Sequence, residues 1–389
     1  MEGRSDMSLT NTFFLDQYEK TEAGKVILRD AYYIIDDAEV YPLRNLNGRN
    51  LSKVIVCIDH DTPSSTSEAS EKQKQLIEFS KQNNLPVNNG AGIGIQLLTE
   101  NQLKSGDIVL GCGYDVFAAG AKGALGIKVK PEELIQAVAD NCMETEIVEG
   151  MFVELTGKLN EGVTVKDLAL TIIRDLSSLE LKNKVVEFYG DGLSNLSEDD
   201  FITLCTLVGK TNALSALINL NRTNAGDPMK YDLSAINNMA VLPDNYNSIV
   251  PIVSLENDVA VNQVFLGGNS GGKISDLRVA ADILKGKRLA KGLRMVVAPV
   301  TSKVYIQMLK EGLIDVFLSA GCTIMNQGYS ADYAKAPGVL DDHEICVSAG
   351  DNNDKELMGG KDSKIYVVSP VIAAKTALTG YLSKVTEVI

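Results

Sequence analysis

Short apolar runs rich in β-branched residues alternate with longer amphipathic stretches along nearly the whole sequence. The run at 52–58, Ser-Lys-Val-Ile-Val-Cys-Ile, predicts a buried strand, and the polar segment 67–84 that follows it predicts an exposed helix. A second buried strand is predicted at 107–111. The helix predicted at 131–138 opens with Pro and two acids, which suit the first turn and the positive end of the helix dipole.

The alternation continues to the end of the chain. Ser197 can cap a helix that begins with Glu198, because its hydroxyl can accept from free backbone N–H groups. Further strands are predicted at 150–155, 295–299, 316–318 and 364–368, and further helices at 164–176, 274–284, 302–311 and 371–378. This order predicts an α/β fold whose mostly parallel sheets are covered by helices. Ligands of such sheets gather at the C-terminal ends of the strands.

Composition excludes several classes of function. The chain has 389 residues, of which 45% are hydrophobic and 23% charged, the balance of a soluble globular protein. Its net charge of -14 argues against a nucleic-acid partner, which would need clustered Lys and Arg. No apolar run reaches the roughly 18 residues of a membrane span, and the N-terminus lacks a signal-peptide core, so a cytoplasmic protein is expected.

The six cysteines are spread along the chain and offer no Cys-x-x-Cys pair. Neither a zinc ribbon nor a thioredoxin-type motif is therefore predicted. Several lie in apolar runs, where a free cysteine packs as a small hydrophobe, so buried thiols are the default interpretation.

A set of segments resembles aconitases and the large subunits of isopropylmalate isomerases. The segment 276–286, Asp-Leu-Arg-Val-Ala-Ala-Asp-Ile-Leu-Lys-Gly, is similar to the helix that follows a Gly-Ser-Cys-Thr-Asn loop in that family, and Asp59-His60 matches its Asp-His pair after a strand. Other similar segments, in the family's order, are 157–159, 162–167, 188–192, 296–299, 312–314, 320–321, 368–374 and 378–380. The resemblance runs from about Ser52 to the end. It implies an aconitase-like body of three-layer α/β/α subdomains, which we place at 1–127, 128–250 and 251–389.

The resemblance also identifies what has changed in the chemical positions. The family's three cysteines hold a 4Fe–4S cluster through soft thiolates, and here those positions fall on Asn269, Tyr329 and Asp332. Cys322 and Cys346 are near in sequence but do not match the ligand positions. No cofactor is therefore expected, and the family's cluster is disfavoured. Two alternatives remain open: a cluster relocated to a remaining cysteine, and a mononuclear metal bound by oxygen ligands such as Asp115 and Asp332.

Further substitutions follow from the same resemblance. Asp115 falls in the family's Asp-Ser-His-Thr loop, Lys210 in place of an acidic catalytic residue, and Asn353 in the segment that contributes a substrate-binding arginine. The family's mobile swivel domain would lie beyond the end of this chain. Isopropylmalate isomerases carry that domain as a separate small subunit, so the resemblance implies such a partner chain, with a homo-oligomer or a chain that works alone as alternatives.

His60 is the main candidate for catalysis, with Asp59 to orient its imidazole; a hydrogen-bonded histidine at a strand end is the structural alternative. Lys210 is predicted to transfer protons or form a Schiff base if it is desolvated, and it is otherwise a surface cation. The remaining candidates are predicted to line the substrate pocket, or else to fill a vacated cavity as paired polar groups: Asp115, Asn269, Ser270, Tyr329, Asp332 and Asn353. The glycine-rich loop 267–272 precedes a helix, so its N–H groups could bind a carboxylate or phosphate.

Three hypotheses follow. The leading one is an aconitase-like lyase or isomerase of the dehydratase family, serving metabolite biosynthesis, that acts on a small carboxylate by acid–base chemistry without a cluster. The first alternative is a hydro-lyase that uses a mononuclear metal. The second is a non-catalytic or regulatory binding subunit.

Overall fold

The computed structural model describes residues 19–20, 25–46, 48–146, 148–222, 226–255, 258–333 and 336–382. The strands of the N-terminal third are β1 (Glu19–Lys20), β2 (Val26–Arg29), β3 (Tyr32–Ile35), β4 (Val54–Ile58), β5 (Val87–Asn89), β6 (Ile108–Gly111), β7 (Leu125–Lys128) and β8 (Cys142–Thr145). Its α-helices are α1 (Ser67–Gln82), α2 (Gly94–Asn101) and α3 (Pro131–Asp140). Strands β3 to β7 form a parallel sheet in the order β5-β4-β3-β6-β7, and β1, β2 and β8 form a small antiparallel sheet.

The middle third builds a second parallel sheet. Its strands are β9 (Glu149–Thr156), β10 (Lys184–Tyr189), β11 (Ser215–Ile218) and β12 (Met229–Asp232), in the order β11-β10-β9-β12. Its α-helices are α4 (Val165–Leu176) and α5 (Glu198–Val208). The Ser197 hydroxyl accepts from the backbone N–H of Asp200 and caps α5, as the sequence predicts.

The last third forms a seven-stranded mixed sheet in the order β14-β13-β19-β18-β15-β16-β17. Its strands are β13 (Met239–Val241), β14 (Ile249–Pro251), β15 (Gln263–Leu266), β16 (Arg294–Val297), β17 (Thr323–Ile324), β18 (Ile345–Ser348) and β19 (Lys364–Val368). Its α-helices are α6 (Ile274–Leu284), α7 (Ser302–Lys310), α8 (Leu313–Ala320), α9 (Lys355–Met358) and α10 (Pro370–Thr379). The strands from β19 to β17 run parallel, and β13 pairs antiparallel with both of its neighbours. Short 3-10 helices lie at Leu43–Leu46, Tyr114–Lys122, Asp191–Asn195, Leu233–Ala235, Ile252–Ser254 and Ser330–Asp332.

The predicted α/β class is confirmed, and one predicted element is wrong. The apolar segment 316–318 lies within helix α8 instead of forming a strand. Gly312 and Gly321 flank α8 in left-handed conformations, and the buried positions Leu313, Phe317 and Ala320 recur at helical spacing. A run of three apolar residues is too short for its periodicity to separate helix from strand.

The predicted division into subdomains stays a prediction, but the sheets bear on its boundaries. The boundary after residue 127 lies within β7, and β8 returns to pair with β2. The boundary after residue 250 lies within β14, which pairs with β13 of the third sheet. One buried apolar cluster includes Ile34, Val186 and Val264, so a common core connects the three large sheets. None of the described helices is both long and apolar enough to cross a membrane.

Candidate active site

The His60 side chain lies where two neighbouring parallel strands end. Asp37 follows β3, while Asp59 and His60 follow β4 directly, so the pairing of these strands brings the three side chains together. His60 Nδ1 lies 2.8 Å from Asp59 Oδ1 and 3.4 Å from Asp37 Oδ1. The predicted Asp59-His60 pair is therefore a close contact, and Asp37 joins it as a second carboxylate.

Hydrogen bonds hold the carboxylates around the imidazole in place. Asp37 accepts from the backbone N–H groups of Asp59 and His60, each at 3.0 Å, and from Gln73 Nε2 at 3.0 Å. Asp59 accepts from the backbone N–H of Gly94 at 2.7 Å. These donors are backbone N–H groups and one amide, so both carboxylates are held without a contribution from the His60 side chain.

Two opposed effects act on the pKa of His60. Burial alone would lower it, but Asp59, Asp37 and the nearby Asp36 raise it well above its usual range. Burial would likewise raise the pKa of Asp37, yet its bond to His60 and its backbone donors hold it well below its ordinary value. Burial raises the pKa of Asp59, so the shifts favour a charged imidazole that faces the Asp37 carboxylate.

Aromatic rings connect His60 to Asp115. The Tyr329 ring stacks on the imidazole with centroids 4.1 Å apart and planes 19° apart, and Tyr333 approaches edge-on at 5.1 Å. The Tyr329 hydroxyl donates to Asp115 Oδ2 at 2.9 Å. Burial raises the pKa of Asp115 to about 6. Tyr329 and Asp115 thus meet, as their predicted common role requires.

The glycine-rich loop before α6 is occupied by groups of the protein itself. Asn269 and Ser270 are fully buried. Gln96 donates to Asn269 Oδ1, and Asn269 Nδ2 donates to Thr206 Oγ1 at 3.2 Å. The Ser270 backbone N–H donates to Asp351 Oδ1 at 3.0 Å. The loop therefore binds a carboxylate, as its position before a helix predicts, but the carboxylate is that of Asp351.

Lys166 joins this loop to the segment after β18. The side chain begins in the first turn of α4, is 1% exposed, and donates to Ser270 Oγ at 3.0 Å and to the carbonyls of Ala349 and Gly350. Desolvation lowers its pKa to about 8. Lys166 therefore fastens two loops of the site as a buried cation.

Lys210 lies just beyond α5, between two tyrosines. Its Nζ is 3.7 Å from the centroid of the Tyr114 ring and 5.0 Å from that of Tyr246. Desolvation lowers the pKa of Lys210 to about 8, although the charges of Asp351 and Asp332 oppose this effect. Within the described ranges no carboxylate forms an ion pair with it. The lysine is therefore desolvated. Desolvation is the condition under which the sequence predicts a role of Lys210 in proton transfer or Schiff-base formation.

The remaining predicted residues divide between the site and its surroundings. Asp332 accepts from the backbone N–H of Asp351 at 3.4 Å, and burial followed by the charge of Asp351 raises its pKa to about 7. Asn353 instead donates to the carbonyl of Leu242 at 3.1 Å, in the connection after β13.

Sequence reasoning missed several residues of the site: Asp37, Tyr114, Lys166, Thr206, Tyr246 and Asp351. The sequence does contain a signal for Asp37. Two aspartates directly follow the apolar run Tyr32–Ile35, just as Asp59 directly follows a predicted strand.

Comparisons with known proteins agree with this architecture. The model of the aconitase family (aconitate hydratase) matches residues 45–226 and 246–380. The large subunit 2 of 3-isopropylmalate dehydratase from Archaeoglobus fulgidus is 31% identical over 354 residues, 85% of each chain. The methanogen homoaconitase large subunit of Methanocaldococcus jannaschii is 30% identical, over 86% of this chain and 87% of its own. The crystal structure of holo aconitase X from Thermococcus kodakaraensis is similar in fold, with a TM-score of 0.55 and 11% identity over 84% of each chain.

These matches define an aconitase-type α/β body. The structure places the contact of His60 with Asp59 and Asp37 at the ends of two of its strands. The chain belongs to the aconitase family. The predicted resemblance is thereby confirmed over most of the chain.

The donor set does not fit the cluster that this family implies. Asn269, Tyr329 and Asp332 carry no thiol, and each hydrogen-bonds within the protein. Of the six free cysteines, Cys142 is partly exposed and the others are buried, as predicted, but the described residues include no group of three cysteines suited to hold a metal. No step is therefore derived through a cluster.

In the described part of the chain, Asp37, Asp59 and His60 are the one group of three that could hold a metal ion, with ligand atoms within 4.8 Å of one another. Asp115 and Asp332 are not part of it. Both oxygens of Asp37 already accept hydrogen bonds, and the carboxylates hold the imidazole as a cation.

Proposed function

We propose that this chain is a hydro-lyase or isomerase that acts on a small carboxylate metabolite by general acid–base chemistry, without a 4Fe–4S cluster. One observation carries the proposal: His60 Nδ1 lies against two carboxylates, whereas Lys210 Nζ lies over aromatic rings, and these surroundings displace the pKa values of the two groups in opposite directions. His60 is kept protonated by its carboxylates, whereas Lys210 is desolvated and its pKa falls to about 8. Acid and base roles are distinguished in many enzymes by environments that separate two pKa values in this way.

The two groups match the two proton transfers of a dehydration. Lys210, as the neutral amine, takes a proton from the carbon next to the substrate carboxylate. The carbon–oxygen bond then breaks, and His60 protonates the departing hydroxyl, so that water and an alkene are formed. Nδ1 faces Asp59 and Asp37, which leaves Nε2 to donate. Isomerisation requires the alkene to turn over in the site, so that its two carbons exchange places. His60 then takes a proton from water, the hydroxide adds to the carbon that had lost its proton, and Lys210 returns its proton to the carbon that had lost the hydroxyl.

The substrate class follows from the relatives. The relatives include a 3-isopropylmalate dehydratase and a homoaconitase, so we propose a small hydroxy acid with at least one carboxylate. Asp115 and Tyr329 would contact the substrate beside His60. Asn269, Ser270 and Asp332 are bound into the protein and would shape the pocket, and Asn353 would support its rim.

Those relatives are named as large subunits, which supports a partner for this chain. We propose that a separate small chain completes the site and supplies cations for the substrate carboxylates, because Lys166 is bound by loop carbonyls and Lys210 is assigned as the base. A homo-oligomer is the alternative. A cytoplasmic location stays an expectation.

Turnover can be tested with the purified chain, alone and with a small-subunit chain encoded beside it. 3-Isopropylmalate and a panel of related hydroxy acids would be incubated in D2O, with NMR to detect alkene formation and deuterium at carbon. His60→Gln should lower turnover about 100-fold or more. His343 is the other histidine and is exposed, so His343→Asn is the matched control and should retain activity. If His60→Gln and His343→Asn are equally active, the catalytic role of His60 is refuted. A wild-type chain that binds these acids without turnover would instead favour the binding-subunit alternative.

The cofactor proposal needs its own measurement. An anaerobic preparation examined by visible absorption and metal analysis should contain no stoichiometric iron. Four iron and four sulfide ions per chain would overturn the cluster-free proposal. One equivalent of a divalent metal that is needed for turnover would favour the mononuclear-metal alternative.

A further inference from the structure

Two buried aspartates, Asp332 and Asp351, contact each other near Lys210. Asp332 is 2% exposed and Asp351 is 1% exposed. The backbone N–H of Asp351 donates to Asp332 Oδ2 at 3.4 Å, and the Ser270 N–H donates to Asp351 Oδ1. The other oxygen of each group, Asp332 Oδ1 and Asp351 Oδ2, is buried without a hydrogen-bond partner. Two ionised carboxylates with unsatisfied oxygens would be costly in such a place.

Two glycines allow the backbone to approach the Asp332 carboxyl group closely. A Cβ added at Gly268 would lie 2.7 Å from Asp332 Oδ2, and one added at Gly350 would lie 2.9 Å from Asp332 Oδ1. Both contacts are closer than a real Cβ permits, so Asp332 occupies the space that side chains would need. The absence of side chains at these two positions therefore leaves room for the buried Asp332 carboxyl group.

The cations that face this pair do not bind it directly. Lys166 donates to Ser270 and to two carbonyls, and Lys210 lies over the Tyr114 ring. Among the residues that the structure describes, neither lysine forms an ion pair with a carboxylate. The other titratable groups that act on the pair or on these lysines are Tyr114, Asp115, Lys128, Tyr246, Lys273, Asp276 and Cys346.

We infer that Asp332 and Asp351 share one proton, and that the single negative charge left on the pair sets the protonation of Lys210. Lys166 balances that charge, so Lys210 has no counter-ion and its amine is readily deprotonated. A second charge on the pair would pair electrostatically with Lys210 and keep it protonated. Asp332 and Asp351 are thus positioning residues, because their charges act on Lys210 without either residue being assigned a contact with substrate. The raised pKa of Asp332, about 7, supports a proton held at neutral pH.

The inference rests on the proposed function only in treating Lys210 as the base. The charge of the pair can be measured without any substrate, so a failure to find turnover would leave the inference standing. Equally, a doubly ionised pair would refute it even in an active enzyme.

The charge can be determined from the pKa of Lys210 in the intact chain. Lys210 lines an open cavity with Ser177, Thr211 and Asn247, so [13C]formaldehyde can reach it for reductive methylation. NMR titration of the dimethylated amine reports its pKa, and loss of the signal in Lys210→Arg assigns it. The variants are Asp332→Asn, Asp351→Asn and the double variant.

A pair with one proton gives a distinctive pattern. Each single substitution leaves one carboxyl group, which ionises once its like-charged neighbour is gone, so the pKa of Lys210 should change little. The double variant removes the charge and should lower that pKa by about one or more. Equal decreases in both single variants that add in the double variant would overturn the inference, and so would no change in any variant.

Wild-type protein supplies a second measurement in case the variants do not fold. Infrared spectra of the chain labelled with [4-13C]aspartate should contain the carbonyl band of a protonated buried carboxylic acid at neutral pH. Absence of that band at pH values where the chain is folded would overturn the inference. Its presence in wild type and loss in a folded Asp332→Asn or Asp351→Asn variant would support it.

Discussion

Replacing Lys166 with Met tests whether the buried charge of this lysine lowers the free energy of unfolding by an amount that depends on pH. Methionine has a similar length and keeps the apolar contacts of the side chain. It removes the donors to Ser270 Oγ and to the carbonyls of Ala349 and Gly350. Lys166 also lies in the first turn of α4, where the helix dipole disfavours a positive charge. Two effects therefore oppose each other: lost hydrogen bonds destabilise the variant, and relief of the buried charge stabilises it.

The pKa of Lys166 sets the magnitude and the sign. The pKa falls from 10.5 to about 8 on folding, so between these values the unfolded chain binds more protons than the native chain. Wild-type stability therefore rises with pH in this window, by about 3 kcal/mol from this one group. The lost hydrogen bonds cost roughly 2 to 6 kcal/mol and do not depend on pH in the same way. Near pH 7 the two effects largely cancel, and near pH 10.5 the hydrogen-bond loss remains alone.

Urea unfolding followed by circular dichroism at several pH values measures the difference directly. The free energy of unfolding of wild type minus that of Lys166→Met should increase by about 3 kcal/mol between pH 7 and pH 10.5. Other groups titrate in both proteins and largely cancel in this difference. Lys104→Met, at an exposed lysine, is the control and should show no such change. A difference that is constant with pH, or that shrinks as pH rises, would refute a buried and destabilised Lys166.

Three further substitutions test other contacts of the site. Asp37→Asn removes one carboxylate near His60, so the imidazole pKa measured by NMR should fall by about one to two, and an unchanged value would contradict the role of Asp37. Tyr329→Phe removes the donor to Asp115 and should lower the unfolding free energy by about 1 to 2 kcal/mol while raising the pKa of Asp115. Gly268→Ala combines a φ of 67° with a clash against Asp332, whereas Gly286→Ala has a φ of 72° and open space. The first should therefore lower the melting temperature more than the second, and equal effects would contradict the close contact.

The fold followed from the sequence wherever the periodicity was long enough to act as a signal. Helix α6 has the predicted bounds, and the predicted strand at 364–368 is β19. The strand predicted at 316–318 was wrong, because a helix and a strand can bury a run of three apolar residues equally well. Strand β3 was not predicted. Its absence from the prediction also hid Asp37, because that residue is recognised by its place after a strand.

The site was predictable where a residue acts through its neighbours in sequence or through the family pattern. Asp59 and His60 met both conditions. Lys166 met neither, because only tertiary packing turns its side chain from a helix start into the centre of the molecule. Asp351 lies in the segment that contributes a substrate-binding arginine in the family, but only Asn353 of that segment was predicted as a site residue. Asp351 matters through its contact with Asp332, which is 19 positions away in sequence. Burial and long-range pairing of this kind leave no local trace in residue type or spacing.

Burial acts on His60 and Lys210 in the same direction, and their neighbours decide the outcome. Desolvation lowers the pKa of both cations. Two carboxylates lie within 3.4 Å of His60 Nδ1 and outweigh this effect, so the imidazole stays charged. Lys210 Nζ lies over two aromatic rings, and among the described residues Asp332 and Asp351 act on it without forming an ion pair. The difference between acid and base therefore depends on where the carboxylates lie, which is why a proton shared within the Asp332–Asp351 pair would bear directly on the base.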